Sequence, residues 1–421
     1  MHFHHRQDAA RTPETAVGEG VRAPGEGDEK GECVSGRRTR PHAVAVFGVV
    51  TCGHSKQTTD AVAAEESNQR FSQDPHSHVI RNHQGQRPTP VERQRPQRKI
   101  VYVLELGGED DEFAVCEAES AATGVELVAP GLARATAVTE RVQDLAYTHR
   151  ASELVGETDA DIDSACALLS AAPIDREGTV AVRARAVRET RISTQEVERE
   201  LGGVLVERGF SVDLDDPDHE LRAVFSDDVC QLGWLEIESR RDFGTRMPTD
   251  KPFFQPGSMH PLLARALANI AGAREGTTIL DPMCGTGGVL IEAALVGARP
   301  LGVDAQEKMV RGARKNLAHY APDSDAGAVR GDATHLPFPD NSIDGVVFDA
   351  PYGRQSKIAN LELDNLVAGA LSEAHRVASR AVIVGDRPWI DEAREADWTV
   401  ENEFERRVHR SLTRYIAVLS R

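Results

Sequence analysis

The sequence predicts an α/β protein: an open, mostly parallel sheet with covering helices in its C-terminal half, an α+β region before it, and an opening stretch without a core. Three observations carry this reading. Thr278-Ile279-Leu280-Asp281, followed by Pro282-Met283-Cys284-Gly285-Thr286-Gly287-Gly288, is a buried strand that breaks into a glycine turn and a helix start. Residues 101–248 alternate short strands with capped amphipathic helices. The first hundred residues hold eight of the fifteen histidines, many Arg, Gln, Pro and Gly, and little periodicity beyond the short run Ala43–Val50, so disorder is expected there. A further expectation is that this stretch is upstream sequence translated from a misassigned start, with the natural chain opening near Val101.

From Val101 the pattern reads strand Val101–Leu106, helix Glu112–Ala122, strands Val125–Ala129 and Arg134–Val138, then Ala146–Val155 and a helix over Asp161–Leu169. Residues 101–150 are expected to form a small α+β, ferredoxin-like module. In Thr179–Arg188, alternation places Val180, Val182 and Ala184 on one face and Arg183 with Arg185 on the other. Ser193-Thr194-Gln195-Glu196 is a capping box for a helix that buries Val197, Leu201, Val204 and Leu205. Gly209–Leu214, a turn at Asp216-Pro217-Asp218, and the strands Leu221–Phe225 and Val229–Ile237 complete an α/β unit. The segment 151–248 resembles a THUMP domain, the RNA-binding module of several RNA-modifying enzymes. Arg183, Arg185, Arg188 and Arg191 are candidates for phosphate contact, the alternative being a solvated strand face balanced by Glu189 and its neighbours.

Lys251-Pro252-Phe253-Phe254-Gln255-Pro256-Gly257-Ser258-Met259 leads into a helix from Pro261, with Leu263, Ala266, Leu267 and Ile270 facing inward and Gly272 ending it. In the glycine turn, Gly285, Gly287 and Gly288 permit positive φ and close backbone approach. The helix after it carries Val289, Leu290, Ala293 and Ala294 before Gly297 stops it. Such a turn also fits a nicotinamide or flavin site, or no ligand at all. Asp304, ending Pro300-Leu301-Gly302-Val303, lies about one βαβ unit further on, where a carboxylate accepts hydrogen bonds from ribose hydroxyls.

Gly331-Asp332-Ala333-Thr334 then sits where S-adenosylmethionine (SAM) enzymes often place an acid that meets the adenine amine; a turn or N-cap aspartate is the alternative. The apolar run Ile343–Phe348 delivers Asp349-Ala350-Pro351-Tyr352-Gly353, which resembles the catalytic loop of SAM enzymes that methylate an exocyclic amino group on a nucleobase. A base amine is a poor nucleophile because its lone pair is delocalised into the ring. A catalyst must therefore supply acceptors for its N–H bonds, a flat surface for the base and an aligned methyl donor. The order of donor turn, ribose acid, adenine acid and amine loop is that of a Rossmann-like class I methyltransferase domain, here expected over residues 249–421.

With the THUMP-like segment, and with Arg407-Val408-His409-Arg410-Ser411-Leu412-Thr413-Arg414 before the last strand Tyr415–Leu419, residues 101–421 resemble the archaeal tRNA guanine-10 N2-methyltransferase family. The resemblance implies SAM as cofactor, no metal, tRNA as partner, and a small activating protein subunit as a further candidate partner. It places Pro256, Asp281, Met283, Gly285, Gly287, Asp304, Asp332, Ala333 and Asp349 around the cofactor. Asp349, Pro351 and Tyr352 form the catalytic loop, in which Asp349 and a loop carbonyl accept the amine protons and Tyr352 stacks on the base. One departure stands out: the family loop reads Asp-Pro-Pro-Tyr-Gly, and this chain has Ala350 second. The carbonyl at that position is kept, so activity is expected to survive, with one or two methyl groups transferred. Competing readings are another guanine N2 site in tRNA, adenine N6 methylation of nucleic acid, and a non-catalytic RNA-binding subunit. No cysteine follows Cys284, which disfavours carbon methylation of cytosine through a thiol nucleophile.

With 421 residues there is room for two or three domains, and no apolar run reaches membrane length. No secretory leader opens the chain, and the six scattered cysteines form no CxxC pair, which points to a reducing cytoplasm without zinc site or disulfide framework. Cys33, Cys52 and His54 are the remaining conceivable ligands. The net charge of −18 is unusual for a nucleic-acid enzyme. Residues 1–100 carry 15 Lys+Arg against 12 Asp+Glu, the rest 34 against 55, and only seven residues are lysine. This composition resembles salt-adapted haloarchaeal proteins, in which surface carboxylates maintain solubility, so acidity describes habitat more than partner.

Overall fold

The computed structural model describes residues 100–187, 192–352, 360–409 and 412–421. The expectations for the first 99 residues, with Cys33, Cys52 and His54, lie outside these, as do Arg188, Glu189, Arg191, Gly353, Arg410 and Ser411.

Eight strands share the first sheet, in the order Glu126–Ala129, Leu132–Ala135, Tyr102–Leu106, Thr148–Asp159, Val229–Glu238, His219–Ser226, Thr179–Ala186 and Ser211–Val212. Thr148–Asp159 makes the sheet continuous, pairing antiparallel with Tyr102–Leu106 on one side and Val229–Glu238 on the other. Helices Ile162–Ala171 and Thr194–Glu207 cover one face. Their Leu169, Val197, Leu201 and Leu205 meet Val180, Val182, Leu221 and Phe225 of the strands in one buried cluster. Both helix starts are capped: Asp161 accepts the Ser164 N–H at 2.8 Å and Ser193 accepts the Glu196 N–H at 3.3 Å. Val180 and Val182 enter the core as alternation demands, while Arg185 crosses to the opposite side, toward Glu105.

Two elements differ from the sequence reading. The helix expected over Glu112–Ala122 spans Asp111–Ala118, and Ala122–Thr123 instead pairs as a strand with Ala137–Val138. The single strand expected over Arg134–Val138 is accordingly split. The N–H and Oγ1 of Thr136 both donate to Thr123 O, at 2.8 and 2.9 Å, which draws the chain out of the main sheet into this small side ribbon. The helix stops at the C-cap Glu119, whose N–H still reaches Val115 O at 3.0 Å, and Gly124 at φ 62° turns the chain after the short strand.

The second sheet runs Gly327–Arg330, Arg299–Asp304, Thr278–Asp281, Gly345–Asp349, Arg380–Gly385, Leu412–Ser420 and Thr399–His409. The first five strands are parallel and the last two form an antiparallel hairpin at the edge. Helices cover both faces, which is why the central strands read as unbroken apolar runs: Val347 packs toward Pro261–Ile270, whereas Val346 and Phe348 pack toward Asn360–Val377.

Helix Asp111–Ala118 joins the two halves. Phe113 lies edge-on to Phe404 of the hairpin at 5.1 Å and to Tyr147 at 5.4 Å. The fully buried Glu117 accepts from the N–H groups of Ala146 and Tyr147 at 2.7 and 2.6 Å, and from Asn269 Nδ2 at 2.8 Å. Pro261–Ile270 therefore buries its polar side as well as its apolar one. Arg265 and Asn269 are 3% and 0% exposed because they face this junction rather than water.

Candidate active site

Thr278–Asp281 and Gly345–Asp349 are adjacent parallel strands although one long excursion of chain separates them, so the order of the sheet reverses between them. A crevice opens at such a switch point beyond the carboxyl ends of the strands. Here it is a cavity of about 190 Å³ lined on one side by Asp281, Met283, Gly285 and Thr286, on another by Asp349–Tyr352, and roofed by Gln255–Met259.

Of the residues singled out by sequence, Pro256, Asp281, Met283, Gly285, Asp349, Pro351 and Tyr352 line this cavity together. Gly285 and Gly287 have φ of 52° and 77°, and Gly287 sits at the start of helix Gly288–Leu295, as the tight turn requires. Asp304 stands behind the turn: its Oδ2 accepts the Gly285 N–H at 3.0 Å and its Oδ1 the Gln306 N–H at 2.8 Å. Asp332 and Ala333 are placed apart from the cavity lining. Asp332 Oδ1 accepts from the N–H and Oγ1 of Thr334 at 2.9 and 2.8 Å, a turn geometry, with its side chain 60% exposed. Ala333 is buried in the core below.

Burial governs the acidic side chains of the site. Burial pushes Asp281 well up, opposed by the Met283 N–H bond and reinforced by the charges of Asp304 and Asp349. Asp304 is raised by burial too, against its two backbone N–H bonds. Asp349 is pushed up to about 6 by burial, with Arg414 and the Tyr352 hydrogen bond holding it down and Asp386 adding to the rise. Asp281 and Asp349 thus line the cavity as buried acceptors, with Asp304 holding the glycine turn from behind, and such acceptors suit the N–H groups of a bound cofactor and of an amine. The donor site thus fits SAM. Among the described residues no cluster of three or more His, Cys, Asp or Glu could hold a metal.

Several contributors were not visible in the sequence. Asn316, fully buried on helix Glu307–Tyr320, accepts the Phe253 N–H at 2.8 Å and donates to Phe253 O at 2.8 Å and Thr286 O at 2.9 Å. It clamps the roof segment to the glycine turn. Ser258 Oγ and Thr286 Oγ1, 3.1 Å apart, make a second link. A Cβ on Gly288 would lie 3.3 Å from the buried Lys251 Nζ, so this glycine admits the ammonium behind the turn. Arg414, 5% exposed, reaches the Asp349–Tyr352 loop from the hairpin. None of these belongs to a local motif; Asn316 is one polar residue on an amphipathic helix and Arg414 one cation on a strand.

Ala350 is informative as well. Its N–H donates to Val384 O at 2.7 Å, a bond that proline at this position could not make. The rigidity lost with the ring is recovered through the sheet.

The fold and crevice, together with two family matches, are those of a SAM-dependent methyltransferase carrying a THUMP domain. A family model described as "RMKL-like, methyltransferase domain" matches residues 248–416, and the THUMP domain model matches residues 160–234. The tRNA (guanine(10)-N2)-dimethyltransferase of Methanothermobacter thermautotrophicus is 37% identical over 284 residues, 66% of this chain and 83% of that protein. That of Pyrococcus abyssi is 31% identical over 252 residues, 58% and 74% of the two chains. The tRNA (guanine(6)-N2)-methyltransferase of Thermus thermophilus is 32% identical over 185 residues, 43% and 53%. The chain belongs to the tRNA (guanine(10)-N2)-dimethyltransferase family.

Proposed function

We propose that this protein transfers one or two methyl groups from SAM to the exocyclic N2 of a guanosine in tRNA, with guanosine-10 the first target to examine. The observation that carries the reading is the convergence of Asp281 and Asp349, at the ends of neighbouring parallel strands, on one cavity. Bound SAM supplies an electrophilic methyl group on its sulfonium. Asp349 and the Ala350 carbonyl accept the two amine N–H bonds and turn the nitrogen lone pair toward that methyl. The ring of Tyr352 gives the base a surface to lie on, and Pro351 limits how the loop can bend. As nitrogen becomes cationic its proton turns acidic, and an Asp349 carboxylate of pKa about 6 is a competent acceptor for it. The target amine is paired in folded tRNA, so the base leaves its stack to reach the loop.

On this reading residues 249–421 carry the chemistry, 151–248 grip RNA, and 101–150 set the two at a fixed spacing. The enzyme works in the cytoplasm of a salt-adapted archaeon, with a small activating subunit as a candidate partner. The Thermus relative gives a second target, guanosine-6 of tRNA, some support. Incubating the full chain with SAM and unmodified tRNA transcripts, then mapping nucleosides by mass spectrometry, tests the function. N2-methylated guanosine at position 10 is expected; methylated adenosine, or no transfer to tRNA, would overturn the reading.

For RNA binding, Arg183 and Arg185 remain the described candidates. Arg183 Nη2 donates to Leu214 O at 2.6 Å, whereas Arg185 is committed inward, 2.9 Å from Leu106 O and 3.3 Å from Glu105. Replacing both by alanine is expected to weaken tRNA binding by roughly tenfold at moderate salt. Replacing Arg185 alone should also lower the melting temperature. Unchanged tRNA affinity in the double variant would assign both side chains to scaffolding.

A further inference from the structure

Arg414 lies 62 positions beyond Tyr352, on the strand Leu412–Ser420, and its Nε donates to Tyr352 Oη at 3.0 Å. Tyr352 Oη in turn donates to Asp349 Oδ1 at 2.6 Å, and Arg414 Nη2 stands 3.7 Å from Asp349 Oδ2. The three side chains close a triangle in which the first carboxylate oxygen holds the phenol. The second feels the guanidinium charge at a distance too long for a hydrogen bond, and so keeps acceptor capacity.

We propose that Arg414 is a positioning residue of the methyl-transfer site, fixing the Tyr352 ring and keeping the Asp349 carboxylate charged and aimed into the cavity. This rests on Asp349 being the amine acceptor. Among the described residues of the sheet, Asp349 is the carboxylate beside this cation. Arg414 pairs across the hairpin with Arg406, an arrangement that is repulsive on its own. Arg406 escapes to the rings of Phe113 and Tyr147, 4.7 Å from each centroid. Burying a guanidinium is unfavourable unless charge and hydrogen bonds compensate it, and the groups that do so here are the two catalytic-loop side chains. Tyr352 is held well above its ordinary range by burial and by the adjacent Asp349, so it remains a phenol able to donate.

The charged and titratable groups facing Asp349 are Arg414 from the hairpin, Tyr352 from its own loop, Asp386 after the strand Arg380–Gly385, and Asp281 on the neighbouring strand. Two of these favour the carboxylate form and two oppose it. Loss of Arg414 therefore moves the titration upward. An opposite charge this close shifts a carboxyl by about one to three pH units.

The test is kcat/KM for tRNA methylation against pH with saturating SAM, using the full chain. In the wild type the acid limb is expected near pH 6. R414Q is expected to move it up by about one unit, lowering the rate roughly tenfold below the limb and recovering much of it at high pH. R414K, which restores charge without the planar fork, should bring the limb back to within about half a unit while kcat stays low. An R414Q limb that does not move overturns the proposal, whether activity falls uniformly or not at all. If R414Q does not fold, R414K decides alone: a limb displaced as far as one unit, or an unchanged kcat, overturns it. A wild type that transfers no methyl group to tRNA would instead end the functional reading.

Discussion

Replacing Asp349 by alanine is expected to leave SAM affinity within about twofold of wild type and to lower turnover by roughly 10²- to 10³-fold or more. The asymmetry follows from geometry. The donor side of the cavity is built by Asp281, Met283, Gly285 and the Gln255–Met259 roof, and Asp304 braces the turn from behind. Asp349 enters only from the neighbouring strand, at the face where the base arrives. Its removal deletes an acceptor whose hydrogen bond strengthens as nitrogen gains positive charge, and such an interaction acts on kcat more than on binding. Isothermal titration with SAM and single-turnover methyl transfer separate the two quantities; turnover within tenfold of wild type would remove Asp349 from the mechanism.

The same carboxyl links activity to stability with opposite signs. Its titration in the folded chain, at about 6, is raised above the ordinary 3.8. The stability it contributes is therefore fully present below about pH 4 and lost as pH rises through about 6. Activity needs the ionised form and rises over that interval. Asp349→Asn should flatten the stability profile between these values as it abolishes turnover, which melting curves across that range would show.

The catalytic sheet was readable because its information is local. A strand, a carboxylate and a glycine turn occupy eleven consecutive residues at Thr278–Gly288, and the amine loop only five. Each sequence motif fixes its own backbone, and the parallel order of the sheet then brings the two together. Arg414 and Asn316 act across 62 and 63 positions, and no periodicity distinguishes an arginine bonded to Tyr352 from one reaching for water. Asp332 is less decided by sequence: its place in the motif order suggests a ligand, while its Oδ1 also serves a local Asx turn with Thr334. The helix Pro261–Ile270 misled more subtly. Its apolar stripe was correctly read, yet Arg265 and Asn269 on the other side are buried, because amphipathicity cannot tell solvent from a polar junction between modules.

That junction gives the second large expected effect. Glu117→Ala should destabilise the folded chain by about 3–5 kcal/mol, since it strands the N–H groups of Ala146 and Tyr147 and the amide of Asn269 in a buried site. Among the described residues Asn269 Oδ1 has no partner, and its Nδ2 would retain the Asp144 carbonyl at 3.1 Å. The melting temperature should fall by about 6–10 °C. The functional consequence follows from what Asn269 belongs to: its helix begins three residues after Ser258, at the roof of the cavity, and ends against the module that carries Tyr147. Loosening Glu117 frees that module against the methyltransferase sheet while the glycine turn and Asp304 are untouched. SAM affinity should therefore hold, and kcat/KM for tRNA should fall further than the loss of folded protein explains. Thermal melts paired with SAM titration read both parts, and a variant melting within 2 °C of wild type, or losing SAM affinity in proportion to methylation, would refute the view of Glu117 as the joint between grip and chemistry.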